Sequence, residues 1–354
     1  MKMMNNSLEV YMFIKMEKKN HWRLEKISNY LKTWIFSKEK LLNIVTVPSN
    51  SSSILVETIL TFANNDRKVL YITEEEEDID IILNIKKVSD FKEYSHIKDT
   101  KSLQEKKLLV CNTKIALQLE EKFDLVIFDD INKTSELPKK LIKQIIERSL
   151  KVNGKGIAYS IEPIFINKRD IVLPLYKNSM PVIEPRIITT KVDLNQDIPY
   201  MIYEYLRWTI ELNKKVLIYV PDSYRLKNVY NYFENNYKNI SKNIFYYSKK
   251  DGNIKILSNF QYLKKAIIIT DDLNGETYNI RQDKNTNIMV FFADDDAYNY
   301  KNLIYFCGEM AFKREGSMKE VIFVCNEETN EIDKTKQITR EFNKEAWEMG
   351  LLSI

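Results

Sequence analysis

Glycine is scarce in this chain: there are seven in 354 residues, about 2% against an average near 7%. The first is Gly154, so nothing in residues 1–153 can freely adopt the positive-φ, side-chain-free geometry that cradles a phosphate. A working glycine-rich loop in the first half is excluded on composition alone. Histidine is scarcer still. His21, beside Trp22, and His96, in a polar loop, supply too little for a zinc site or a serine–histidine–acid triad. Cys111, Cys307 and Cys325 are widely spaced in apolar stretches with no metal-ligand spacing, which suits reduced core thiols in a reducing compartment. Long apolar runs are missing too. Stretches such as "IMVFFA" at 288–293 are strand-length, far below the roughly 20 residues of a membrane span. The start "MKMMNNSLEVYMFIK" has no signal-peptide core. The expectation is a cytoplasmic protein without membrane insertion.

An excess of charge of one sign is also lacking. The 54 Lys+Arg against 50 Asp+Glu leave a formal charge of +4, so no global drive toward nucleic acid or membrane exists and any basic surface must be local. What is present is 44% hydrophobic and 29% charged composition, that of a globular chain long enough for two domains.

The order of elements reads α/β. "EKISNYLKTWIF" (25–36) has helical period, "LLNIVTV" (41–47) is a strand, and "SILVETILTFANN" (53–65) is a helix preceded by Ser/Asn capping chemistry. "RKVLYIT" (67–73) is a strand, "EEEEDIDIILNIKK" (74–87) an acidic helix, "KKLLVCNT" (106–113) a strand and "TKIALQLEEK" (113–122) a short helix. "FDLVIFDDIN" (123–132) is an apolar strand ending in two aspartates, followed by the helix "PKKLIKQIIERSLK" (138–151) and the strand "GKGIAYSIEP" (154–163). Residues 164–190 carry three of the eight prolines and no helical period; they read as a linker. Beyond them strands and helices alternate again. Such alternation predicts parallel sheets covered on both faces. The expected organisation is a helical lead-in (1–40), a first domain (41–165), a linker (166–195) and a second domain (196–354).

Two places draw attention to chemistry. "NIVTVPSNSSSILVE" (43–57) is a strand, a small-residue turn and a helix start, the position of a phosphate loop, yet it holds neither glycine nor lysine. It is either a phosphate loop worn away or an ordinary strand-to-helix turn. Asp129 and Asp130 follow the apolar "LVIF", at the strand end where open α/β sheets bind ligands. They fit a Walker B pair, one carboxylate holding magnesium through water and its neighbour orienting attacking water. Taken alone, they are better explained as a plain helix cap after a strand.

Taken together, "VCNTKIALQLEEKFDLVIFDDI" (110–131), "IAYSIEP" (157–163), "EPRIITT" (184–190), "KKVLIYVP" (214–221), "IIITDD" (267–272) and "NLIYFCGEMAFKREGSMKEVIFV" (302–324) resemble the motifs of superfamily 2 helicases in order and spacing. The closest resemblance is to the late-competence ComFA family, DNA-uptake ATPases with two RecA-like domains, and it covers roughly residues 22–350. The family's Gly-x-Gly-Lys-Thr loop falls on Ser49, Asn50, Ser51, Ser52 and Ser53, with Ser52 at the lysine position. Its Ala-Thr-Thr-His segment resembles "CNTKIAL" with Thr113 kept and Lys114 beside it. Its Asp-Glu pair resembles Asp129–Asp130, the glutamate shortened by a methylene, and its Thr-Ala-Thr-Pro resembles Ser160, Ile161, Glu162 and Pro163. In the last motif the matching positions are Tyr305, Gly308, Glu309, Ala311 and Phe312, so Glu309 and Phe312 stand where arginine fingers belong. The family's four-cysteine zinc module has no counterpart, and no zinc is expected.

These losses compound. Without the loop lysine and glycine amides the phosphates lose their cradle, and an arginine finger alone is worth about 10³–10⁵ in rate. The resemblance therefore implies two tandem RecA-like domains with degenerate ATPase motifs. ATP and Mg would be cofactors, with Asp129 as the metal ligand and Asp130 as the water-positioning group, only if the protein were active. Grip on single-stranded DNA or other nucleic acid does not require the ATP residues. Candidate contacts are Thr113, Lys114, the basic aromatic segment 237–250 with Tyr246, Tyr247 and Lys249, and the basic helix 139–151. The family resemblance adds competence or recombination proteins as partners. An active translocase with an unusual loop and a pure protein-interaction scaffold are the alternatives.

Overall fold

The computed structural model describes residues 26–99, 105–132, 135, 137–174, 181–248, 250, 253–273, 277, 280, 283, 285–308 and 319–352. The chain divides into two compact units, Met1–Pro181 with Phe342–Ile354, and Val182–Glu341.

The first unit is built on β1 (Leu41–Thr46), β2 (Val69–Thr73), β3 (Tyr94–His96), β4 (Leu108–Cys111), β5 (Phe123–Asp129), β6 (Leu150–Ser160) and β7 (Arg169–Leu173). They form one sheet in the order β3-β4-β2-β5-β6-β1-β7, every pair parallel. β1, β2 and β4 are buried along their whole length, as near-continuous apolar strands must be when helices cover both faces. The helices are α1 (26–35), α2 (Ser53–Asn64), α3 (Asp80–Val88), α4 (Thr113–Ala116) and α5 (Lys139–Ser149). α5 packs Ile142, Ile145 and Ile146 against Val126, Phe128 and Ala158 of the strands. β6 is where the rare glycines are needed: a Cβ on Gly154 would stand 2.9 Å from the Phe123 carbonyl, and one on Gly156 2.8 Å from Leu41.

The fold departs from the sequence expectations at several points. The stretch read as a linker contains β7, which pairs with β1, and β8 (Arg186–Thr189), a strand of the second sheet. The cause of the first is Asn43, buried within β1. Its amide donates to the Phe165 carbonyl at 2.9 Å and Asp170 at 2.7 Å, and its oxygen accepts from the backbone of Ile164 and Phe165. This ties 164–170 down so that β7 can pair. The acidic run does not begin a helix at 74; Asp78 takes φ 46 and α3 starts at Asp80. α4 is a single turn, and the expected positive-φ exclusion fails at Ser49, which adopts φ 57 despite its side chain.

Lys155 on β6 holds the end of α1. Its buried ammonium donates to the carbonyls of Trp34, Ser37 and Glu39 at 3.0, 2.7 and 2.6 Å and lies 4.8 Å from the Trp34 ring. Lys155→Met strands those acceptors and is expected to cost about 2 kcal/mol. Urea unfolding measures it, and a loss below about 0.5 kcal/mol would refute the assignment.

The second unit's sheet runs β10-β11-β9-β12-β13-β8, again all parallel, with β9 (Lys215–Tyr219), β10 (Ile244–Tyr247), β11 (Ile267–Thr270), β12 (Thr286–Phe291) and β13 (Val321–Cys325). α6 (Tyr200–Glu211), α7 (Ser223–Asn236), α8 (Ile254–Tyr262) and α9 (Tyr300–Cys307) follow the expected alternation, and α10 (Asn330–Glu348) begins in this unit while its residues from Phe342 on belong to the first. Ile202, Leu206 and Ile210 of α6 and Leu226, Val229 and Phe233 of α7 share a core with Val216, Ile218, Ile267 and Met289. Cys111, Cys307 and Cys325 are buried free thiols. Among the described residues no helix is long and apolar enough to cross a membrane.

Candidate nucleotide site

All strands of the first unit run the same way, so their carboxyl ends share one edge. The turn 47–52, the acidic segment 74–80, Asn112–Thr113, Asp129–Asp130 and Ser160 all stand at or just past strand ends there. The sheet order places β1 beside β6 and β6 beside β5, so the serine turn and the aspartate pair flank one strand.

The serine turn is held by bonds from the chain itself. The Ser49 amide donates to the Ile131 carbonyl at 3.0 Å, and the Ser51 amide to the Asn50 side chain at 3.0 Å. Asp80, the first residue of α3, reaches into the turn: its Oδ2 accepts from the Ser52 amide at 2.7 Å, from Ser52 Oγ at 2.7 Å and from Ser51 Oγ at 3.4 Å. The Ser53 amide donates to Ser51 Oγ at 3.2 Å. Ser52 is the N-cap of α2 but makes no side-chain cap bond, because its hydroxyl is turned to Asp80. A carboxylate thus sits on the donors that a phosphate would use. From the other side Tyr159, fully buried on β6, donates to the Ser51 carbonyl at 2.9 Å.

The aspartate pair is closed in the same way. Asp129 is 2% exposed; it accepts from the Tyr71 hydroxyl and, at 3.1 Å, from the Ile131 amide. Burial pushes its carboxyl well above the usual range, and the Glu75 charge pushes it further. Burial likewise lifts Glu75 to about 7, against partial relief from the Asp80 amide that donates to it at 3.1 Å. Burial and Asp129 together raise the Tyr71 phenol well above its ordinary value. Asp130 accepts from the Ser135 amide while its own amide bonds the Tyr159 carbonyl. Asp129 is bonded to a phenol and its carboxyl is shifted away from the charged form, which disfavours it as a magnesium ligand, and among the described residues no group of three or more His, Cys, Asp or Glu is placed to hold a metal ion. The donor set does not fit a magnesium-bound triphosphate: the Ser49, Ser51, Ser52 and Ser53 amides are engaged, the turn carries no lysine, and the Asp80 carboxylate already stands on it. Asp129→Asn, which removes a buried carboxyl facing Glu75, is expected to reduce the fall in stability between pH 5 and pH 8, read by urea unfolding at the two values; an unchanged fall would show that Asp129 takes no part in it.

The nucleic-acid candidates scatter. Thr113 is buried, its amide and hydroxyl both donating to Glu74, the amide at 3.1 Å; Lys114 beside it is exposed. Tyr247 is 3% exposed and so lies inside, a correction to its reading as a contact, because inward and outward positions alternate along β10. Tyr246 is half-exposed and packs on Tyr230, ring centroids 4.8 Å apart. On α5, Lys139 pairs with Glu162 at 2.8 Å and Lys143 faces Glu147 at 3.8 Å. Tyr305 is buried and Gly308 caps the end of α9. Glu309, Ala311, Phe312, Lys249, Gly275 and His21 lie outside the described residues. Sequence reasoning missed Tyr71, Glu74, Glu75, Asp80 and Tyr159. The signals were there: a phenol inside each of two apolar strands, and six carboxylates within seven residues of a strand end.

Two consecutive units, each a parallel sheet covered by helices, match in fold the tandem RecA-like domains of solved helicases. Among solved structures the chain is similar to Dbp5 of S. cerevisiae bound to RNA and ADP BeF3, with a TM-score of 0.51 and 12% identity over 95% of this chain and 95% of that one. It is similar also to Xpd4 of S. tokodaii (TM-score 0.46, 12% identity, 95% and 98% covered) and to the helicase MrfA bound to DNA (0.48, 12%, 91% and 51%). No family model matches the chain, and no curated protein matches it in sequence.

Proposed function

We propose that this chain is a helicase-fold protein that neither binds nor hydrolyses ATP and serves as a nucleic-acid-binding or assembly component. The observation that carries the proposal is the Asp80 carboxylate on the Ser51 and Ser52 donors: a triphosphate would have to displace a fixed negative charge from the position its own phosphates need. The resemblance of the motif order to the ComFA family extends the proposal to a cytoplasmic role in DNA uptake or recombination, beside competence or recombination proteins.

The test is equilibrium binding of a labelled ATP analogue with magnesium to the full chain, run beside salt-dependent retention of single-stranded DNA. The proposal expects no nucleotide binding at millimolar concentration and DNA retention that falls with salt. Saturable nucleotide binding weakened by Asp129→Ala would overturn it in favour of an active ATPase with an unusual loop. Loss of both kinds of binding would leave a pure interaction scaffold.

A further inference from the structure

In the second unit the carboxyl edge of the sheet is negative. Asp222 follows β9, Asp271 and Asp272 follow β11, and Asp294, Asp295 and Asp296 follow β12. Arg225 among them is held between Asp222 at 2.6 Å and Asp295 at 2.8 Å, and the lysines of that edge, Lys191 after β8 and Lys250 after β10, lie toward its two ends. A polyphosphate chain laid along that edge would meet repulsion.

The opposite edge has the reverse character. Before β9, β11 and β12 the structure has a surface cavity of about 370 Å³, lined by Asn213, Gln261, Tyr262, Lys264, Asp283 and Asn285 among others. Tyr262 is 88% exposed at the end of α8, an orientation that no packing demand explains. Lys264 and Lys265 follow it, both exposed. The Lys265 carbonyl accepts from Ser241 Oγ at 3.3 Å and from the Asn243 side chain at 3.0 Å, which brings exposed Lys242 to the same rim. Among the described residues none of these three lysines is paired with a carboxylate. The cavity's own acid, Asp283, is bound by Lys215 at 2.7 Å and by Thr286, so its charge is offset from within.

We infer that this amino-terminal edge of the second sheet, centred on Tyr262 with Lys242, Lys264 and Lys265, binds single-stranded nucleic acid. An exposed ring offers a face on which an unpaired base stacks, amide side chains of Asn213, Gln261 and Asn285 present both donors and acceptors to base edges, and the lysines meet the backbone. The inference rests on the nucleic-acid-binding reading above and gives it a location: the edge opposite the one where ligands meet an open α/β sheet.

The experiment is fluorescence anisotropy of labelled oligo-dT and oligo-U on the full chain over a salt series, for the unaltered protein, Tyr262→Ala, the double variant Lys264→Glu/Lys265→Glu, and Lys114→Glu on the first unit's carboxyl edge. Tyr262→Ala is expected to weaken binding about tenfold or more, as loss of one stacked base does. The double variant is expected to lower the salt slope by about 1.4 for two lost single-strand phosphate contacts. Thermal unfolding checks that these exposed changes leave the fold intact. Preference for one oligonucleotide sorts DNA from RNA within the inference. If the unaltered protein binds and the Tyr262 and lysine variants bind equally well, or Lys114→Glu alone weakens binding, the location is wrong while the broader reading stands. If the unaltered protein binds neither oligonucleotide, both fall.

Discussion

Asp80→Ala is expected to lower the unfolding free energy by about 3 kcal/mol and to turn the serine turn into an anion site. The Ser52 amide and hydroxyl each lose a charged acceptor at 2.7 Å, and hydrogen bonds to charged groups contribute about 1.5–3 kcal/mol apiece. Relief of repulsion with Glu75 offsets part of that loss, since Asp80 is among the groups holding Glu75 up. The freed donors at the start of α2 are those a phosphate would take. Inorganic phosphate should therefore raise the melting temperature of the variant more than that of the unaltered protein, at ionic strength matched with chloride. Phosphate at tenfold its dissociation constant would restore about 1.4 kcal/mol. Equal shifts in the two proteins would show that the turn is not held by the carboxylate.

Stability should also fall as pH rises through neutrality, opposite to the usual behaviour of paired carboxylates. Glu75 has its folded pKa raised to about 7 from an ordinary 4.5, so between those values the folded state keeps a proton that the unfolded chain releases. The sign follows: the contribution is fully present below about 4.5 and is lost as pH climbs through about 7. A shift of that size corresponds to at most about 3.4 kcal/mol, and Asp129, raised in the same direction, adds to the decline. Urea midpoints at pH 5 and pH 8 measure it. Glu75→Gln should remove much of the difference, and a protein as stable at pH 8 as at pH 5 would refute the buried-acid arrangement.

The two effects share one cause. The segment 74–80 supplies carboxylates to donors that in a nucleotide-binding sheet face a ligand: Asp80 to Ser51 and Ser52, Glu74 to Thr113. A site left without its phosphate would hold unpaired buried donors, each costing about 1–3 kcal/mol. Acidic side chains from the same chain satisfy them permanently, which is why the loop keeps its course without glycine. Ser49 takes its positive φ with its amide fixed on the Ile131 carbonyl, so tertiary contact supplies what composition withheld.

The order of strands and helices was legible in the sequence because apolar runs and amphipathic periods are local signals. The framework of both sheets follows from them, as does the position of the "PSNSSS" turn after β1. Composition alone also ruled out a glycine-rich loop. The edge strands β7 and β8 were not legible. β7 pairs because Asn43, far away in sequence, satisfies the backbone of residues 164–165, and nothing local announces that. The truncated start of α3 was hidden for a similar reason: glutamates favour helix, yet here Glu74 and Glu75 are drawn to Thr113 and the Asp80 amide. Above all, the sequence could show that the "PSNSSS" turn has neither lysine nor glycine, but not what its donors bind. That depends on a carboxylate 28 residues from its partner in the chain, and only the parallel sheet, which brings the ends of β1 and β2 to one edge, puts the two within 3 Å.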